Sequence, residues 1–165
     1  MDTRLNPETL LFAKRESVEM IELGDKLAPR FDEAGLIPVI TCDDETGEIL
    51  MLGYMTAEAL RLTLATGEVH YFSRTRQAIW RKGEHSGFTH ALRELRIDDD
   101  QDCLLARVGL EGPGSCHVGY RTCFYRAVER DSLAEGAVVP LKQLEQERAF
   151  DADTVYAGLP NPTKI

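Results

Sequence analysis

The stretch Val39-Ile40-Thr41-Cys42-Asp43-Asp44-Glu45-Thr46-Gly47-Glu48-Ile49-Leu50-Met51-Leu52-Gly53-Tyr54-Met55 decides the fold. Its first four residues are β-branched or small and apolar, which suits a strand. Asp43 to Gly47 is turn chemistry: Asp side chains bond nearby backbone, and Gly accepts a left-handed conformation. Residues 48–55 return as a second strand, so the pair reads as a β-hairpin. Downstream, Thr56 is a helix N-cap, Leu60 and Leu64 are spaced i,i+4 over residues 57–65, and Gly67 is the stop. Residues 69–73, 92–97, 104–108 and 124–128 read as strands. Residues 98–102 form a turn, and residues 74–90 an irregular, functional loop. A short helix is expected over residues 140–148. The tail from Asp151, with Gly158, Pro160 and Pro162, is expected to be mobile. Upstream, residues 1–35 read as a helical arm. Asn6 and Pro7 open it, Leu10, Leu11, Val18 and Ile21 stripe it, and Gly24 ends it. These elements predict an α+β fold: a mostly antiparallel, hairpin-rich sheet with few short helices.

The totals narrow the function. A chain of 165 residues that is 43% hydrophobic can build a core without disulfides or metal. No run approaches the roughly 18 apolar residues of a membrane span. The N-terminus has no apolar stretch of the secretory type, so the expected compartment is cytoplasmic and no membrane partner is expected. The net charge of −9 argues against nucleic acid as a partner, because phosphate backbones need a basic surface. Cys42, Cys103, Cys116 and Cys123 are then expected to be buried thiols or metal ligands rather than disulfides.

The charges are sorted into islands. Residues 70–82 hold Arg74, Arg76, Arg81 and Lys82 and no acid, with Ser73, Thr75, Ser86 and Gly87 around them. Guanidinium and ammonium groups bind phosphate, and hydroxyls add donors. The island suits a phosphorylated small molecule; a solvated basic loop is the alternative. Trp80 is the only Trp, placed to stack on a base, anchor the loop or join the core. The second island is Asp98-Asp99-Asp100-Gln101-Asp102. Alternate carboxylates in a turn present oxygens to Mg²⁺ or Ca²⁺, while an exposed hairpin turn would need no ion. The third feature is Cys116-His117-Val118-Gly119-Tyr120-Arg121-Thr122-Cys123. Two thiols with an adjacent His suit Zn²⁺, and Cys103 would be a third thiolate, leaving an open catalytic position. Three buried thiols are the alternative. His85, His90 and His117 are candidate general bases, His117 being the best placed.

Together, residues 48–55, 67–76, 80–87, 98–102 and 116–124 resemble, in order, the phosphoribosyl-AMP cyclohydrolase family of histidine biosynthesis. The resemblance covers residues 37–126, and the catalytic domain is set at residues 36–130, between the arm and a C-terminal extension over 131–165. It implies hydrolytic opening of a purine ring between N1 and C6 of a phosphorylated nucleotide by a zinc-activated water. It also implies an intertwined homodimer in which zinc thiolates come from both chains. By position it makes Cys116 and Cys123 zinc ligands, Asp98, Asp100 and Asp102 Mg²⁺ ligands, and His117 the proton-transfer group. Ser73, Arg74, Arg76, Trp80, Arg81, Lys82 and Ser86 fall in blocks lining the substrate site. One departure matters. The family has Asp-Cys-Asp where this chain has Asp98-Asp99-Asp100, so the usual third thiolate is missing. Across a hairpin turn Cys103 takes that place, with Asp99 as the rival third ligand. Two alternatives follow from the altered turn: a zinc hydrolase or deaminase of another purine nucleotide, and a non-catalytic metal- or nucleotide-binding relative.

Overall fold

A computed structural model describes residues 5–164. The opening hairpin forms as expected. Strands β1 (Ile37–Asp43) and β2 (Ile49–Met55) pair antiparallel, with Ile37 opposite Met55 and Thr41 opposite Met51. Asp43 builds the turn. Its Oδ1 accepts from the backbone N–H of Glu45 and Thr46 and from the Thr46 hydroxyl. Helix α1 (Val18–Leu23) precedes the hairpin, and α2 (Ala57–Thr66) follows it. The Thr56 hydroxyl caps α2 by accepting from Ala59 N–H, and Gly67 ends it at φ 72, where a side chain would be strained.

Two more hairpins complete the domain. β3 (His70–Ser73) pairs with β4 (Ala78–Arg81). The irregular loop expected over residues 74–90 therefore contains a strand; Arg74 and Arg76 occupy the turn at the hairpin tip, while Arg81 ends β4 and Lys82 follows it. β5 (His90–Ile97) pairs with β6 (Leu104–Leu110). The main sheet has the order β2-β1-β6-β5. Its two outer pairs are antiparallel, but the central pair is parallel, with Val39 opposite Leu104 and Asp43 opposite Val108. The core lies on one face, where Ile37, Val39, Leu50, Leu60, Tyr71 and Leu104 are buried beneath α2 and β3. Each fully buried side chain of this size stabilises the fold by about 1.5–3 kcal/mol.

The arm is not the helix expected. Among the described residues of the arm, only Pro7–Thr9 and α1 are helical, capped by Asn6 and Ser17. Between them the chain is extended: Ala13 N–H donates to Leu27 O within the arm, and Arg61 of the domain donates to Leu10 O. Leu11 and Val18 are exposed while Ile21 is buried, so the stripe never assembles. Short helices are marginal in water, and tertiary hydrogen bonds win here. The C-terminal extension also departs from expectation. β7 (Arg126–Val128) pairs with β8 (Leu141–Gln143), which replaces the helix expected over residues 140–148. Beyond it the tail holds a short helix: α3 (Ala152–Val155) is capped by Asp151, and Ala152 is buried, while residues 157–164 are exposed. Among the described residues, no helix is long and apolar enough to cross a membrane.

Candidate active site

The loop after β6 folds back on itself. Ser115 N–H donates to Arg121 O, Cys116 N–H to Tyr120 O, and Gly119 N–H to Cys116 O. Gly119 sits at φ 105, and a Cβ there would lie 2.8 Å from Phe150 O, so the turn needs glycine. The end of the loop is fastened to β2, where Cys123 N–H donates to Leu50 O at 2.8 Å. Arg121 clamps it to the first hairpin through Asp43 at 2.9 Å and Glu48 at 2.7 Å.

This folding brings the Cys116 and Cys123 thiols into hydrogen-bonding contact. The bond from Cys123 pulls the Cys116 thiol down to about 6 against the opposing effect of burial, helped by the Val118 N–H and the Lys82 ammonium. The same bond pushes the Cys123 thiol upward, though the residue itself is exposed. One proton is thus shared unequally, and Cys116 is the thiolate.

Lys82 stands beside both thiols. Its Nζ donates to Ser115 O at 2.5 Å and lies 5.6 Å from the Trp80 ring centroid. Burial lowers its pKa, and the two thiols hold it up. Lys82, which falls in a block expected to line the substrate site, is 7% exposed and sits in the interior beside the sulfurs. Beneath lies a buried polar chain. The Thr41 and Tyr71 hydroxyls meet at 2.8 Å, Tyr71 meets His90 Nδ1 at 3.0 Å, and His90 Nε2 meets Ser115 Oγ at 3.0 Å. His90 is fully buried, and burial with the nearby Lys82 pushes it down to about 3. It is neutral and structural, not a general base. His117 is half-buried and lies at the site. Burial lowers its pKa, and a hydrogen bond with Asn161 opposes that.

The other basic residues divide. Arg74 lies over the Tyr54 ring at 4.0 Å and Arg76 over Trp80 at 5.8 Å; both are exposed. Arg81 is paired with Glu68 at 2.6 Å. Ser73 Oγ accepts from Arg76 N–H and holds the hairpin tip. Ser86 Oγ accepts from Phe88 N–H. Trp80 packs on Tyr71 at 5.1 Å. Trp80, Lys82 and Ser86 line a small cavity with Tyr156, a residue that sequence reasoning missed.

The acidic turn closes the β5–β6 hairpin. Asp98 N–H donates to Cys103 O, and Asp98 Oδ1 accepts from the N–H of Asp102 and Cys103. Ligand oxygens of Asp98, Asp100 and Asp102 fall within 4.8 Å of one another. Such an oxygen set fits a hard cation. Burial and the two neighbouring carboxylates raise the Asp102 pKa. Among the described residues this is the only trio of His, Cys, Asp or Glu so close together, and Asp99 is outside it.

Cys103 does lie across the turn, opposite Asp98. Within one chain, however, it does not reach the thiol pair. It precedes Leu104, opposite Val39, whereas Cys123 is held by Leu50 near Thr41 and Cys42. That is some three residues along a strand and two strands across, roughly 14 Å. Within one chain the thiol pair is therefore two sulfurs, Cys116 and Cys123, without Cys103.

A family model described as phosphoribosyl-AMP cyclohydrolase matches residues 51–125, which hold both cysteines of the pair and the acidic turn. Proteins of the same name are similar over most of the chain. One from Rhodopseudomonas palustris (strain HaA2) is 43% identical over 144 residues, 87% of this chain and 95% of its own. One from Bradyrhizobium sp. strain BTAi1 is 50% identical over 128 residues, covering 78% of this chain and 95% of its own. One from Caulobacter sp. strain K31 is 52% identical over 116 residues, covering 70% and 87%. The fold and the thiolate loop are therefore those of an enzyme, and of a hydrolase. The chain belongs to the phosphoribosyl-AMP cyclohydrolase family.

Proposed function

We propose that this chain hydrolyses 1-(5-phosphoribosyl)-AMP in histidine biosynthesis, opening the purine ring between N1 and C6. Water supplies hydroxyl to C6 and a proton to N1 as the C6–N1 bond breaks, with no change of oxidation state. The observation that carries the reading is the Cys116–Cys123 pair with Cys116 as thiolate, set beside His117. The donor chemistry fits zinc, with Cys116 and Cys123 as ligands. Zinc bound there would acidify a water toward a pKa of about 7. His117 is the group that would carry a proton between the attacking water and N1. Lys82 steadies the thiolates. Arg74 and Arg76 face the phosphates, Trp80 and Ser86 border the purine, and Ser73 holds the tip that presents the arginines. Arg81 acts through its pair with Glu68. Asp98, Asp100 and Asp102 hold Mg²⁺.

The working form is a cytoplasmic homodimer. The shortage of sulfur ligands within one chain supports it, the third ligand being Cys103, or Asp99, of a second copy. So does exposed apolar surface: Leu52 is 49% exposed on edge strand β2, and Phe124, Val128 and Leu141 lie open nearby in sequence or on β7 and β8. Ultraviolet absorbance can follow ring opening of phosphoribosyl-AMP, with AMP and GTP as comparison substrates and zinc measured in the same samples. Turnover of phosphoribosyl-AMP alone, with about one zinc per chain, is the expected result. Zinc-loaded protein that leaves it intact refutes the reading.

A further inference from the structure

The C-terminal extension, most of it beyond the 51–125 match, is fastened to the thiolate loop. Leu144 N–H donates to Tyr125 O, Ala149 N–H to Gly119 O at 2.7 Å, and Glu145 accepts from Arg121 N–H. Phe150 packs edge-on against Phe88 at 4.9 Å. These contacts hold residues 144–150 against the loop. α3 then carries Tyr156 into the wall of the cavity shared by Trp80, Lys82 and Ser86. Beyond it the chain makes an Asx turn, in which Asn161 Oδ1 accepts from Thr163 N–H at 2.8 Å. That turn meets His117. Thr163 Oγ1 lies 3.5 Å from His117 Nε2, and the Asn161 side chain is close enough to the same ring to raise its pKa.

A histidine on a loop turns about two side-chain bonds and exchanges two tautomers, and the partners of its ring nitrogens select one arrangement. His117 has such partners, and they come from residues 161 and 163. We propose that the Asn161–Thr163 turn is a positioning element that orients the His117 ring for proton transfer. The idea rests on the reading of His117 given under the proposed function. It makes the extension part of the active site rather than an appendage.

The test uses the zinc-loaded full chain carrying Asn161→Ala and Thr163→Val together. The loss of one modest hydrogen bond from a reacting arrangement corresponds to about a tenfold change in rate. The double variant should show kcat lowered about tenfold, KM within about twofold, and unchanged zinc content and melting temperature. Thr163→Ser, which keeps the hydroxyl, should retain most of the rate. Independently of any substrate, nitrogen NMR of the imidazole rings reads the orientation and tautomer of His117, assigned with a His117→Gln variant. Its ring signals should move in the double variant and stay put in Thr163→Ser. Unmoved ring signals overturn the positioning role. Moved signals in a protein that never opens phosphoribosyl-AMP support the positioning and refute the substrate assignment.

Discussion

Removing the Gln101 side chain should loosen the arm and the acidic turn together. Gln101 is 5% exposed and sits at φ 59 inside the Asp98–Asp102 turn. Its Oε1 accepts from Ala28 N–H at 2.7 Å, and its Nε2 donates to Ile21 O at 3.0 Å. Ala28 is fully buried and Ile21 nearly so, and water reaches neither easily. Each buried group left without a partner costs about 1–3 kcal/mol. Gln101→Ala should therefore cost about 3–4 kcal/mol. Gln101→Gly loses the same bonds but relieves the left-handed backbone, worth about 0.5–1 kcal/mol after glycine's extra chain entropy. The expected order of stability is the native chain, then Gln101→Gly, then Gln101→Ala. Urea denaturation at 25 °C measures it from the midpoints, provided the slopes match. A cost below about 1 kcal/mol for Gln101→Ala, or Gly less stable than Ala, would refute the assignment of Gln101 as the anchor.

His90 should make stability depend on pH. Its folded pKa, about 3, lies below the 6.5 of the free side chain, so its contribution is complete above pH 6.5. As pH falls below that, the unfolded chain takes a proton that the folded chain refuses. Stability then drops by up to about 1.4 kcal/mol per pH unit until pH 3 is approached. Melting curves from pH 7 to 4 should be visibly flatter for His90→Asn, and parallel profiles would dispose of the argument. Gly53→Ala places a Cβ 2.6 Å from the ring of Tyr71, which is 1% exposed and has nowhere to go. A loss of about 1–3 kcal/mol is expected, read by the same denaturation; a neutral outcome would mean the ring has room to shift. Cys103→Ser should lower bound zinc in equilibrium dialysis while Asp99→Ala keeps it, and the reverse result would pass the third-ligand role to Asp99.

The local signals in this sequence carry local structure faithfully. Thr56 and Gly67 bound α2, and Asp43 to Gly47 turn the first hairpin, because capping and turn bonds reach only a few residues. What depends on distant partners is not written in any window. The parallel pairing of β1 with β6 joins segments far apart in the chain, and neither carries a mark of the other. The expected helix over residues 140–148 lost to β8 because Arg126 and Val128 supply a pairing edge. Lys82 was partly legible. Strand alternation sets it on the same side as Trp80, which packs inward on Tyr71, so its ammonium follows that ring into the interior. Charge counting alone only groups it with Arg74, Arg76 and Arg81 as one phosphate-binding island.

The cysteines show why a correct local argument can still mislead about a site. A hairpin turn does bring residue 103 beside residue 98, as the spacing requires. That geometry compares Cys103 only with its neighbours across the turn. The thiols it is meant to join are held near the other end of β1, where Leu50 fastens Cys123 and Ser115 ties Cys116 to the buried His90 and Lys82. A rigid four-stranded sheet keeps the two ends roughly 14 Å apart, and no side-chain rotation closes that gap. Under the proposed homodimer, the acidic turn of a second copy would supply the third ligand to the first copy's thiolate loop. Zinc content that falls with dilution of the dimer, in step with the sedimentation of single chains, is the outcome this arrangement demands. Zinc held equally well by a monomer would require all its ligands on one chain, and the sheet register forbids Cys103 from being among them.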